Sequence, residues 1–114
     1  MGWGADKILD YADRPSFAYA ASKHAVAGIT KNFANELGKY HIQVNGIAPG
    51  YIAAGNSEEI LHDEAVYHDF LSRIPAGRWG TPEDMQGAVV WLASKASDYV
   101  NGFTAAVDGG WLAR

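Results

Sequence analysis

A tyrosine and a lysine four residues apart, Tyr19 and Lys23, are the pair in this sequence best suited to moving a proton. In a helix that spacing puts both side chains on one face, one turn apart. A free phenol, with a pKa near about 10, is a poor acid–base group at neutral pH. A neighbouring ammonium favours the phenolate and lowers that pKa. So tuned, Tyr19 could pass a proton to or from a carbinol oxygen. The plainer alternative is a helical tyrosine beside a solvated lysine, and the spacing alone leaves both open.

Other residues carry weaker chemistry. Arg73 and Arg78 could hold a substrate carboxylate through a planar fork, or tie a surface segment to its neighbours. Glu64 and His68 share helical spacing near His62, as metal ligands do, but no third ligand is placed and a charged surface is the simpler reading. No metal site is expected. His24 and His41 stand alone and are assigned no role. There is no cysteine, hence no disulfide, thiolate nucleophile or zinc–thiolate site.

The elements that must position these groups follow from periodicity and punctuation. Pro15-Ser16 can open a helix, and Val26, Ile29, Phe33 and Leu37 recur at helical spacing to Gly38, which should stop it. Ala18, Ala21, Ala25 and Gly28 form a second stripe, of small residues. Residues 42–48 are mostly apolar and suit a strand closed by Pro49-Gly50. Residues 58–73 have weak helical character within a charged excursion. Thr81-Pro82-Glu83-Asp84 is a strong helix start, with a cap, a proline for the first turn and acids at the positive end, and the helix should reach about Ala93. Asn101-Gly102 marks a turn before a strand over 103–107, and Asp108-Gly109-Gly110 closes it. A strand–helix–strand order implies two parallel strands. Two such strands are too few to stand alone, so the pattern suggests one edge of a larger sheet.

Bulk properties narrow the class. One domain fits the length of 114 residues, and nine Lys and Arg against thirteen Asp and Glu argue against a nucleic-acid surface. No apolar run is long enough to cross a bilayer, and the acidic segment 1–13 is not a signal peptide, so no membrane association is expected and the cytoplasm is the default location.

Taken together and in order, Tyr19-Ala-Ala-Ser-Lys23, Val44-Asn45, Pro49-Gly50, Arg78-Trp-Gly-Thr-Pro-Glu83, Asn101-Gly102 and Val107-Asp-Gly-Gly110 resemble the carboxy-terminal half of the short-chain dehydrogenase/reductase family. The resemblance covers residues 15–114. Residues 73–80 and 97–114 are most similar to its sugar-acid dehydrogenases, of the 2-dehydro-3-deoxy-gluconate or 2-deoxy-gluconate type. It implies an α/β fold, the carboxy-terminal portion of a Rossmann-type doubly wound parallel sheet with its amino-terminal half missing, and leaves residues 1–14 unassigned. It implies hydride transfer between a nicotinamide, NAD with NADP as the alternative, and a sugar acid. Tyr19 would be the general acid/base. Lys23 would hold the nicotinamide ribose and depress the Tyr19 pKa. Pro49-Gly50 would wall the nicotinamide, the Ile52 backbone would meet its carboxamide, and residues 51–80 would form a substrate lid. A homo-oligomer, a tetramer, is the family's usual assembly.

This sequence also departs from the family. The glycine-rich phosphate loop is absent, and Asp6 stands where the family's catalytic serine is expected. Ala54 stands where a threonine is common. Two alternatives to the dehydrogenase follow: a non-catalytic fragment acting at most as an interaction piece, and a sugar epimerase or dehydratase sharing the Tyr-to-Lys spacing. Pro49-Gly50 and the Asp108-Gly-Gly-Trp111 ending disfavour the latter.

Overall fold

The computed structural model describes residues 15–53 and 62–114; of residues 15–17 and 19 it describes the backbone alone. The expectations for residues 1–14, including Asp6, and for Ala54 lie outside the described residues.

Helix α1 spans Pro15–Leu37, opening on the proline whose fixed φ suits a first turn. It ends at Leu37, as its periodicity predicts. Gly38 continues into a tight 3-10 turn, Gly38–Tyr40, and the left-handed residue is His41 at φ 60, whose N–H donates to the Gly38 carbonyl at 3.0 Å. The tight turn takes up carbonyls that the helix end would leave unpaired.

Strand β1 is Gly46–Pro49 and strand β2 is Thr104–Val107, paired in parallel with Gly46 opposite Thr104 and Pro49 opposite Val107. Both are shorter than their apolar runs. Ahead of β1 the ladder is replaced by side-chain amides. Asn101 Oδ1 accepts from Val44 N–H at 2.9 Å, while Asn45 Oδ1 accepts from Phe103 N–H and its Nδ2 donates to the Val100 carbonyl, both at 2.9 Å. Asn101 Nδ2 also donates to the Ala34 carbonyl of α1 at 2.9 Å, tying helix, strand and turn together. That is the physical role of Val44-Asn45 and Asn101-Gly102. Gly102 sits at φ 76, and a Cβ there would meet the Ala34 methyl at 3.4 Å.

Between the strands run helix α2, Glu64–Arg73, and helix α3, Gln86–Leu92. Asp63 caps α2, accepting from the N–H groups of Ala65 and Val66. The helix expected from Thr81 starts as a 3-10 turn, Pro82–Met85, before α3. Among the described residues no helix is long and apolar enough to cross a membrane.

Thr30 and Ala34 of α1 are both buried, Thr30 near Gly46 of β1 and Ala34 against Gly102 in the turn before β2. The apolar face, Val26, Ile29 and Phe33, is 58%, 52% and 46% exposed, and Leu37 is half-buried. The helix thus meets the start of the strand pair through small side chains, and its apolar stripe is left exposed among the described residues. Ala34, Ile74, Trp79 and Ala105 are the buried apolar residues among those described, and none of the large side chains is fully buried. This is one edge of a sheet, as the strand count suggests.

Candidate active site

In a parallel sheet, ligands gather outside the carboxyl ends of the strands. Here those ends are Pro49-Gly50 and Val107-Asp108. The turn after β1 is fixed from two sides. Gly50 N–H donates to the Val107 carbonyl at 3.0 Å, and a Cβ on Gly50 would lie 2.7 Å from Asp108 Cα, so only glycine fits between the two strand ends. Ile52 then forms a parallel bridge with Gly80. Its bonds run from Gly80 N–H to the Tyr51 carbonyl at 2.9 Å and from Ala53 N–H to the Gly80 carbonyl at 2.8 Å. Because the bridge uses the groups on either side of Ile52, the amide and carbonyl of Ile52 itself turn away from Gly80. A backbone donor and acceptor are thereby presented on the other side of a pinned turn.

Residues 19 and 23 lie one turn apart in the opening turns of α1, as their spacing requires. The Tyr19 side chain is outside the described set. Lys23 is exposed. His24 Nδ1 donates to the Ala20 carbonyl at 2.8 Å, a local helix contact.

The segment after β1 packs through aromatic rings. Tyr67 stacks on buried Trp79 with centroids 5.5 Å apart, and Tyr51 meets Phe70, Trp79 and Trp111 at 4.5, 5.8 and 4.7 Å. Trp79 Nε1 is buried without a hydrogen-bond partner. Residues 75–76 dock on the turn after β2, where Ala76 N–H donates to the Gly109 carbonyl at 2.9 Å and Gly109 and Gly110 take φ 64 and 96. Two hollows flank the turn after β1. One, of about 150 Å³, lies between Ile52, Ile74, Gly80 and Val107. The other, of about 420 Å³, opens between Pro49, Gly50, Tyr51, Asp108 and Trp111.

The two arginines differ in setting. Arg78 makes a double contact with Asp84, Nη1 to Oδ2 at 2.7 Å and Nη2 to Oδ1 at 2.9 Å, and Asp84 also accepts from Thr81 N–H at 2.8 Å. The guanidinium first, then the Thr81 amide, hold the Asp84 carboxyl well below the usual carboxylate range, while Asp84 raises the Arg78 pKa. The Arg78 fork is therefore occupied in tying the connector to the start of α3. Arg73 pairs with Asp69 at 2.7 Å, but its guanidinium also lies over Phe70 and over Trp111, which lines the larger hollow. Sequence reasoning missed Arg114, whose guanidinium stacks on Trp111 at 3.9 Å. A chain-terminal arginine carries no spacing signal.

The Asp84 contact has a testable pH dependence. A depressed folded-state pKa contributes stability that is present above the unfolded value, near 3.8, and is lost as pH falls through the folded value. In a complete homologous enzyme carrying residues 15–114, Asp84→Asn should lower the melting temperature by a constant amount from pH 5 to 7, and the gap should close as the pH falls below about 4. The gap is expected to be small, because the pair is solvent-exposed. A gap that widens on acidification would contradict the assignment.

A family model described as Enoyl-(Acyl carrier protein) reductase matches residues 7–112. The 2-dehydro-3-deoxy-D-gluconate 5-dehydrogenase of Bacillus subtilis strain 168 is 57% identical over 118 residues, covering 97% of this chain and 46% of that protein. Among solved structures, a gluconate 5-dehydrogenase from Burkholderia cenocepacia J2315, in complex with NADP and tartrate, superposes with a TM-score of 0.82 at 44% identity, over 84% of this chain and 38% of that one. A 4-hydroxyisoleucine dehydrogenase complexed with NADH superposes with a TM-score of 0.81 at 38% identity, over 85% and 40%. The chain spans about half the length of the curated relatives it matches.

Proposed function

The chain belongs to the short-chain dehydrogenase/reductase family, and from that premise we propose that it supplies the proton-relay half of a nicotinamide-dependent sugar-acid oxidoreductase. The observation that carries the proposal is the pinned turn Pro49-Gly50-Tyr51-Ile52 at the carboxyl end of β1, with the Ile52 backbone groups turned outward. Pro49 and Gly50 offer a flat, rigid wall, and Ile52 offers the donor and acceptor that a carboxamide needs. When bound, the cofactor accepts or gives the hydride at its nicotinamide ring. Everything else falls to this chain's residues. Tyr19 exchanges a proton with the carbinol oxygen as hydride leaves or reaches its carbon. Lys23 steadies the phenolate and holds the ribose hydroxyls. Of the two arginines singled out by the sequence, Arg73 is the stronger candidate to meet a substrate carboxylate, because Asp84 occupies the Arg78 fork. The substrate is a gluconate-type acid and the cofactor NAD, with NADP as the alternative, since the two solved relatives hold NADP and NADH. Assembly as a homotetramer in the cytoplasm completes the proposal.

Lys23→Met tests the division of labour. In a complete homologous enzyme carrying residues 15–114, removing a positive charge beside Tyr19 should move the alkaline rise of the oxidation rate to higher pH, because the phenolate loses its support. Weaker cofactor binding with an unmoved profile would leave Lys23 a ribose clamp and nothing more.

A further inference from the structure

Trp111 opens the last turn of the chain, Trp111–Ala113, and lines the larger hollow beside Pro49 and Gly50. Two guanidiniums from different segments converge on its indole. Arg114 Cζ lies 3.9 Å from the ring centroid and Arg73 Cζ, from the last turn of α2, lies 5.2 Å away. Each is steadied by one part of its fork. Arg114 Nε donates to the Trp111 carbonyl at 3.0 Å, and Arg73 Nη2 donates to Asp69 Oδ2 at 2.7 Å. A guanidinium over an aromatic ring keeps N–H donors that the ring does not satisfy. The two guanidiniums meet the hollow only through the Trp111 ring that lines it; the charged residue lining it, Asp108, is turned into its own loop, its oxygens accepting from the N–H groups of Gly110 at 2.9 Å and Leu112 at 3.1 Å. A cavity of about 420 Å³ falls within the usual size of small-molecule sites, about 300–1,000 Å³.

We propose that Arg114, seated on Trp111 with Arg73 beside it, forms a carboxylate subsite that holds the acid group of an open-chain sugar acid. The subsite rests on the oxidoreductase proposal for the identity of its ligand, and it adds a specificity-determining residue to it. The aromatic platform fixes both guanidiniums before the ligand arrives, so little side-chain ordering remains to oppose binding. An uncharged polyol of the same length would fill the hollow without engaging the forks.

The test uses a chimera in which residues 15–114 replace the matching part of the complete Bacillus subtilis relative. D-gluconate is titrated calorimetrically into the chimera with NADP bound, and sorbitol serves as the probe without a carboxylate. Arg114→Gln should weaken gluconate about tenfold or more, the scale of a hydrogen bond to a charged group, and leave sorbitol unchanged. Arg73→Gln should weaken gluconate less, because Asp69 already shares that guanidinium. Gluconate affinity unchanged within about twofold in Arg114→Gln at an unaltered melting temperature would overturn the subsite. Equal weakening of gluconate and sorbitol would overturn it too, as would a folded parent chimera with no affinity for gluconate. A chimera that binds gluconate through Arg114 but never reduces the cofactor would defeat the catalytic proposal and leave the subsite standing.

Discussion

Replacing Tyr19 by Phe in a complete homologous enzyme that carries residues 15–114 is expected to lower turnover by about two to four orders of magnitude. The substitution keeps the ring and the helix while removing the one oxygen that could exchange a proton with the carbinol. Positions 19 and 23 sit in the first turns of a 23-residue helix, so the backbone that presents them is set by α1 and is indifferent to the missing hydroxyl. Cofactor and gluconate binding should therefore survive while kcat falls, which is the signature of an interaction made in the transition state. Water can replace the phenol only poorly, since it lacks a tuned pKa and a fixed position. Activity within about threefold of the parent would remove Tyr19 from the mechanism.

The 114-residue chain made alone is expected to show neither tight NADH binding nor a cooperative melt. Dinucleotide affinity comes largely from a pyrophosphate resting on a helix amino terminus beside a glycine-rich turn. Among the described residues Gly46 and Gly50 belong to β1 and its end, and Gly109-Gly110 leads only into the three-residue turn Trp111–Ala113. Stability is short for a separate reason. Val26, Ile29 and Phe33 stand half-exposed on α1, and burying such a side chain contributes roughly 1.5–3 kcal/mol. Against a typical net stability of about 5–15 kcal/mol, leaving three of them in water is decisive. β1 pairs with β2 on one edge and with no other strand among the described residues, an arrangement that is marginal in isolation. Titrating NADH by fluorescence alongside a thermal melt decides the matter. Micromolar binding together with a cooperative transition would contradict this expectation.

Much of this organisation was legible in the residues. The helix over Pro15–Leu37, the parallel strand pair and the Thr81 start follow from helical periodicity, apolar runs and capping residues, which are local signals. The direction of α1 against the sheet was not legible in the same way. Its apolar stripe is marked by spacing and stands exposed, whereas the buried positions are Thr30, near Gly46 of β1, and Ala34, against Gly102, which no helical period singles out. The strands came out shorter than their apolar runs because the Asn45 and Asn101 amides take over the ladder's hydrogen bonds, a long-range pairing that no local pattern encodes. At the site, Pro49-Gly50 was marked by residue type, whereas the outward turn of Ile52 needed the bridge to Gly80. Arg78 looked available for a ligand until Asp84 was seen to fill its fork, and Arg114 gave no signal until the fold brought it over Trp111.

Residues 15–114 are proposed to carry the proton-relay half of a sugar-acid oxidoreductase. The most direct measurement is steady-state oxidation of a gluconate-type acid by the chimera built on the Bacillus subtilis relative, followed through the absorbance of the reduced nicotinamide. With 57% identity across the exchanged half, turnover within about tenfold of the parent enzyme is expected, a loss of no more than about 1.4 kcal/mol in the barrier. A chimera that melts cooperatively and binds NADP yet produces no reduced nicotinamide with any gluconate-type acid would contradict that role.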